Sequence, residues 1–220
     1  LPGLPRTETS DVSLRLHHVS VHTPSGRQLL DSLTLAIGPG DALVICGPSG
    51  CGKSVLLHSL AGLWPYASGR AELPAGATMF VPQRPYLPLG TLRDVMSYPA
   101  RSGAHPDTEI QRLLVQIALP HLVIRLGDTA DWAGSLSPGE QQRIAFARVL
   151  LHKPRTVFLD EATSALDEGL ELMLYQLVRA ELPDSIVVSV SHRRSVEQFH
   201  GHRLELFGDG RWRVGRPSPA

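Results

Sequence analysis

Apolar and polar positions alternate from Leu14 to Val21 and again from Gln28 to Ile37, with Thr23-Pro24-Ser25-Gly26 between them. Alternation of period two on both sides of a Pro/Gly turn predicts an antiparallel hairpin with one solvated face. Ala42-Leu43-Val44-Ile45-Cys46 is apolar throughout, as a strand covered on both faces must be. The glycine-rich run after it leads into a helix expected to begin near Lys53. Thr156 to Leu159 and Ser185 to Val188 repeat the buried-strand pattern, with an amphipathic stretch from Glu168 to Leu182 between them. A parallel α/β core follows. Leu92 to Leu126 has helical periodicity broken by Pro99, Pro106 and Pro120 and no convincing strand, which predicts an inserted helical lobe over about 92–152.

The 220 residues, 42% apolar, suffice for one domain with a sizeable core. Lys+Arg and Asp+Glu each number 21, so the charge balance points to no nucleic-acid partner. Cys46 and Cys51 lie too close together for a disulfide framework, which suits a reducing compartment and the cytoplasmic side. No apolar run approaches the ~18 residues that cross a bilayer. The opening Leu1-Pro2-Gly3-Leu4-Pro5 lacks the features of a signal peptide, so 1–12 reads as a linker, 13–214 as the domain, and the Gly/Pro/Ser-rich 215–220 as a disordered tail.

The run Gly47-Pro48-Ser49-Gly50-Cys51-Gly52-Lys53-Ser54 fits G-x-x-x-x-G-K-[ST]. In that pattern the glycines let backbone N–H groups turn onto phosphate oxygens, the helix start adds partial positive charge, Lys53 reaches the β/γ-phosphates, and the Ser54 hydroxyl ligates Mg²⁺. Asp160 and Glu161 end a buried strand at the edge where ligands sit in open α/β sheets. There Asp160 would hold Mg²⁺ through water and Glu161 would take a proton from the attacking water, although such a pair equally marks the start of a solvated loop. Leu136-Ser137-Pro138-Gly139-Glu140-Gln141-Gln142-Arg143 opens a helix running to about Leu151. Ser137 suits the N-cap, Pro138 the first position and Glu140 the third, a capping box. Ser137 and the Gly139 N–H could also grip a phosphate on a partner molecule, and the octet alone leaves both roles open.

These elements, in this order and spacing, resemble an ATP-binding-cassette (ABC) ATPase over nearly the whole chain. Gly47 to Ser54 resembles the Walker A loop, Gln83 in Val81-Pro82-Gln83-Arg84 the Q-loop, and Leu136 to Glu140 the signature motif. Thr156 to Asp160 with Glu161 resembles Walker B and its base, Ser164-Ala165-Leu166-Asp167 the D-loop, and His192 the switch histidine. The resemblance implies a P-loop fold of ABC type: a mixed core sheet, an N-terminal antiparallel subdomain and an inserted helical subdomain. It further implies ATP and Mg²⁺ as cofactors, and a head-to-tail homodimer in which each nucleotide lies between one chain's Walker loop and the other's Ser137, Gly139 and Glu140. Gln83 would touch Mg²⁺ or the attacking water, and His192 would sense the γ-phosphate. A fused transmembrane domain before the linker would be the second partner and the only membrane contact, at the cytoplasmic face, as in a bacterial inner membrane. The alternative is a soluble ABC clamp acting in DNA repair or translation. Gly62-Leu63-Trp64-Pro65, Pro82 to Leu92, and Asp131-Trp132 ahead of the signature are similar to subfamily D half-transporters and related bacterial exporter-shaped importers of cobalamin or peptides. Trp64 and Tyr86 equally suit core or interface roles, and His200-Gly201-His202 gives no metal spacing.

Three positions depart from the family pattern. Thr23, beside His22, holds the place of the aromatic that stacks on adenine. Pro138 removes a backbone donor, and Glu140 brings negative charge near a phosphate unless it folds back onto the cap, as expected here. Cys51 inside the loop would block nucleotide by bulk if alkylated. Because base stacking is worth ~1–3 kcal/mol, titration with Mg-ATP and Mg-GTP should give similar affinities; a strong preference for ATP would contradict this.

Overall fold

A computed structural model describes residues 3–217; the remainder of the expected linker and tail lies outside the described residues. The chain begins with β1 (Arg6–Thr9), β2 (Leu14–His22), β3 (Gln28–Ile37) and β4 (Ala42–Cys46), then α1 (Lys53–Leu60), β5 (Ala67–Pro74) and β6 (Thr78–Val81). Next come β7 (Gly90–Thr91), α2 (Leu92–Ser97), α3 (Asp107–Gln116), a 3₁₀ turn at Pro120–Arg125, and β8 (Thr129–Ala130). The rest is α4 (Trp132–Ser135), α5 (Pro138–His152), β9 (Thr156–Asp160), α6 (Glu168–Glu181), β10 (Ile186–Val190), α7 (Arg194–Glu197), β11 (His202–Leu206) and β12 (Trp212–Gly215).

Two compact units result: 1–80, 154–161 and 184–220 in one, 81–153 and 162–183 in the other. The first holds two sheets. Its six-stranded sheet runs β12-β11-β4-β10-β9-β6, with β11, β4, β10 and β9 parallel and β12 antiparallel to β11. Every residue of β4, β9 and β10 is buried, which explains their largely apolar character. The four-stranded sheet, β1-β5-β2-β3, is antiparallel except where β1 pairs with β5. Leu14, Leu16, Val19 and Val21 of β2 point into a core shared with Leu56, Leu57 and Leu60 of α1 and with Phe158, Val188 and Leu204. Within the stretch expected as a linker, Arg6–Thr9 is therefore a strand and Leu4 is buried; Gly215, the expected start of the tail, closes β12.

The second unit is mainly helical. α5 begins with the expected capping box: Ser137 Oγ accepts from Glu140 N, the Glu140 carboxylate accepts from Ser137 N, and Pro138 fills the first position. Lys153, in a left-handed conformation at φ 47°, ends it. Ile144, Phe146, Val149 and Leu150 of α5 are buried, and the Phe146 ring meets Tyr175 of α6 edge-on at 5.9 Å. Burying a ring of that size is worth ~1.5–3 kcal/mol relative to exposure. Arg148 is also buried, without a carboxylate; burial pushes its guanidinium down to about 10. It donates from Nε to the Val95 carbonyl and from Nη1 to the Tyr86 carbonyl, both at 2.7 Å, tying the segment after Gln83 to α5. The lobe contains one short strand pair, β7 with β8, beside its expected helices.

Candidate active site

The glycine-rich loop leaves the central strand β4 and enters α1. Gly47 has φ 141°, and a Cβ there would collide with the Leu206 carbonyl oxygen and lie 2.9 Å from Cys51 Sγ, so the strand end can approach β11 only with glycine. At the start of α1 no side chain caps the helix, because its N-cap is Gly52 in a left-handed conformation. Unfilled helix-start N–H groups beside a lysine suit an anion. Lys53 is 6% exposed, and its Nζ donates to the Gly47 carbonyl at 3.0 Å and the Pro48 carbonyl at 2.9 Å. Pro48, Ser49 and Gly50 form the outward arc of the loop, and a Cβ on Gly50 would meet nothing within 4 Å. Cys51 is only 2% exposed, so alkylation at that position requires the loop to open first.

Ser54 Oγ donates to Asp160 Oδ1 at 2.7 Å, bringing together a hydroxyl from the helix start and a carboxylate from the end of β9. His58 Nε2 lies 3.7 Å from Asp160 Oδ2, and its ring packs on Phe80 at 5.0 Å. Burial raises the Asp160 carboxyl above its ordinary range, against the opposing Ser54 hydrogen bond and the nearby His58. A divalent cation would favour the ionised form again. No cluster of three or more His, Cys, Asp or Glu side chains suited to a metal occurs among the described residues. A hydroxyl and one carboxylate fit Mg²⁺, a hard cation that keeps water and substrate phosphate oxygens in its shell.

Glu161 follows with a backbone φ of 49°, uncommon for a residue with a Cβ, and is held there by its N–H donating to the Val190 carbonyl at 3.1 Å. Such conformations persist where surrounding structure enforces them, and they concentrate at functional sites. The same β10 end leads to His192, whose Nε2 lies 3.1 Å from Glu161 Oε1. His200 is otherwise employed: Nδ1 meets the Val196 carbonyl and Nε2 the Ser189 hydroxyl, both at 2.8 Å in a buried setting.

The remaining expected site residues lie in the helical unit. Gln83 Nε2 donates to Ser164 Oγ at 3.3 Å. Ser137 Oγ donates to Glu140 Oε2 at 2.8 Å, so the Glu140 carboxylate is folded onto the cap. Gly139 lies close to the Ser164-Ala165 segment, where a Cβ would sit 3.1 Å from the Ala165 carbonyl oxygen. Two residues went unnoticed in the sequence: His58, one helical turn beyond Ser54 on α1, and Gln142, buried inside the octet. Nothing in a helical repeat marks a glutamine as buried.

A model described as "ABC transporter" matches residues 30–164. The chain belongs to the ABC transporter family. ATP binding and ATP hydrolysis are the activities of that family. An uncharacterized ABC transporter ATP-binding protein of Haemophilus influenzae is 42% identical over 197 residues, 90% of this chain and 33% of that protein. The lysosomal cobalamin transporter of Homo sapiens is 39% identical over 231 residues, 98% of this chain and 38% of that protein. ATP-binding cassette sub-family D member 3 of Mus musculus is 37% identical over 221 residues, 96% and 33% respectively. The chain thus spans about a third of the length of these curated relatives.

The capping box at the start of α5 has a measurable consequence. Burial alone would raise the Glu140 carboxyl, but hydrogen bonds from Ser137, with Arg143 and His121 nearby, hold it below its ordinary value. Because the folded pKa is depressed, this contribution is complete above the unfolded value of ~4.3 and is lost as pH falls through the folded one. Glu140→Ala should cost ~1 kcal/mol in urea denaturation at pH 7, and the difference from the unmodified protein should shrink below about pH 4. An equal penalty at both pH values would contradict this.

Proposed function

We propose that this chain is the nucleotide-binding domain of an ABC transporter, binding Mg-ATP in a head-to-tail pair with a second copy and hydrolysing it to drive transport through a transmembrane part. The carrying observation is the convergence at the ends of β9 and β10: Ser54 on Asp160 at 2.7 Å and His192 on Glu161 at 3.1 Å. The similarity to named transporters over nearly the whole chain supports this reading over a soluble clamp. Among the described residues no helix is long and apolar enough to cross a membrane, so the transmembrane part would be a separate segment or chain. The working position would be the cytoplasmic face of a membrane.

In this mechanism the N–H groups of Gly50, Gly52, Lys53 and Ser54 hold the β-phosphate side of the nucleotide, and Lys53 shares its charge between β- and γ-phosphates. Ser54 and Asp160, with Gln83, would hold Mg²⁺, which would neutralise charge on the transferring group. Glu161 accepts a proton as water attacks the γ-phosphorus and the bond to the β-bridging oxygen breaks. His192 orients Glu161 and donates toward the γ-phosphate. Ser137 and the Gly139 N–H grip the nucleotide bound by the second copy, with Glu140 keeping the Ser137 cap in shape.

Proton abstraction by a positioned base contributes ~10²–10⁴-fold, so Glu161→Gln should lower phosphate release by at least ~10²-fold while Mg-ATP affinity stays within about threefold. Normal turnover in that variant would reject Glu161 as the base.

A further inference from the structure

Gln142 lies in the first turns of α5 and is 2% exposed. Its amide is engaged at both ends. Nε2 donates to the Gln83 carbonyl oxygen at 2.8 Å and to Ser164 Oγ at 3.1 Å, while Oε1 accepts from Ala165 N–H at 2.9 Å. Ser164 Oγ also receives the Gln83 side-chain amide at 3.3 Å. Turning the amide over would set Oε1 against the Gln83 carbonyl oxygen and the NH₂ against the Ala165 N–H, like against like at both ends, so the pattern has a single orientation. A buried amide that loses such partners leaves polar groups unpaired, which costs more than the bond itself contributed.

We propose that Gln142 is a positioning residue for Gln83. By locking the Gln83 carbonyl to the Ser164-Ala165 segment, it fixes where the Gln83 side chain can reach. It also holds that segment against the start of α5. Gly139 supports the same junction, since the absence of a Cβ lets α5 begin against Ala165. Gln142 itself meets no reacting atom; it acts through Gln83. The inference rests on the ATPase reading above.

Gln142→Met keeps side-chain length and volume but removes the donors and the acceptor. Two readouts test the proposal. In nucleotide-free protein, hydrogen exchange at the Ala165 amide should accelerate by about tenfold or more while the amides of Ile144 to Leu150 stay unchanged. In turnover, kcat should fall by about tenfold with Mg-ATP affinity within about twofold, and in a Gln83→Ala background the same substitution should change kcat by less than about twofold, since the group it positions is gone. Equal losses in both backgrounds, or unchanged exchange at Ala165, overturn the proposal. Should Gln142→Met fail to fold, Gln142→Glu, which keeps the acceptor for Ala165 and loses the donor to Gln83, must show the kcat loss without the exchange change, and any other result overturns it. No phosphate release from the unmodified protein would instead sink the ATPase reading, and exchange at Ala165 would then decide whether Gln142 holds this segment in place.

Discussion

The first unit depends on one buried cation. Lys53 stands at an uncapped helix start, 6% exposed, and its ammonium is held by two carbonyls of its own loop, with no ion pair to it among the described residues. A buried charge with only neutral partners is costly, and the cost is offset when an anion arrives. The helix dipole and the loop N–H groups act in the same direction. The other features of the first unit serve to hold this arrangement in place.

The support comes from both sides of the sheet. β4 is central, flanked in parallel by β10 and β11, so its end can neither slide nor twist away without breaking two ladders. Gly47 lets that end approach Leu206, and α1 is anchored by Leu56, Leu57 and Leu60 in the core shared with β2. The same parallel register delivers Asp160 and Val190 side by side, Val190 opposite Asp160 across β9 and β10. Glu161 and His192, one and two residues further on, meet because of it. The meeting of these two side chains is therefore a property of strand register.

Much of this was legible beforehand, for definite reasons. Hydrophobic periodicity located β2, β3, β4, β9, β10 and α6 because each has one face, or both, in a core. Capping chemistry located α5 because Ser137, Pro138 and Glu140 have few other uses at that spacing. What escaped were elements with weak patterns. β5 carries Gly69 and Pro74, and β11 and β12 set Arg203, Glu205 and Arg213 on an ion-paired face that reads as loop. β1 escaped because its residues are mostly exposed and its pairing to β5 is long-range. Pairwise contacts such as Ser54 with Asp160, His58 with Asp160 and Gln142 with Gln83 join residues far apart in the chain, and only the first was suggested by motif.

The glycine-rich loop, on this reading, is a cationic cradle centred on Lys53. Calorimetric titration of the purified protein with Mg-ATP, alongside Lys53→Ala, tests it most directly. Saturable binding weakened by at least ~10-fold in the variant, a loss of ~1.4 kcal/mol or more, is the predicted result. Equal affinity in the two proteins would contradict the account.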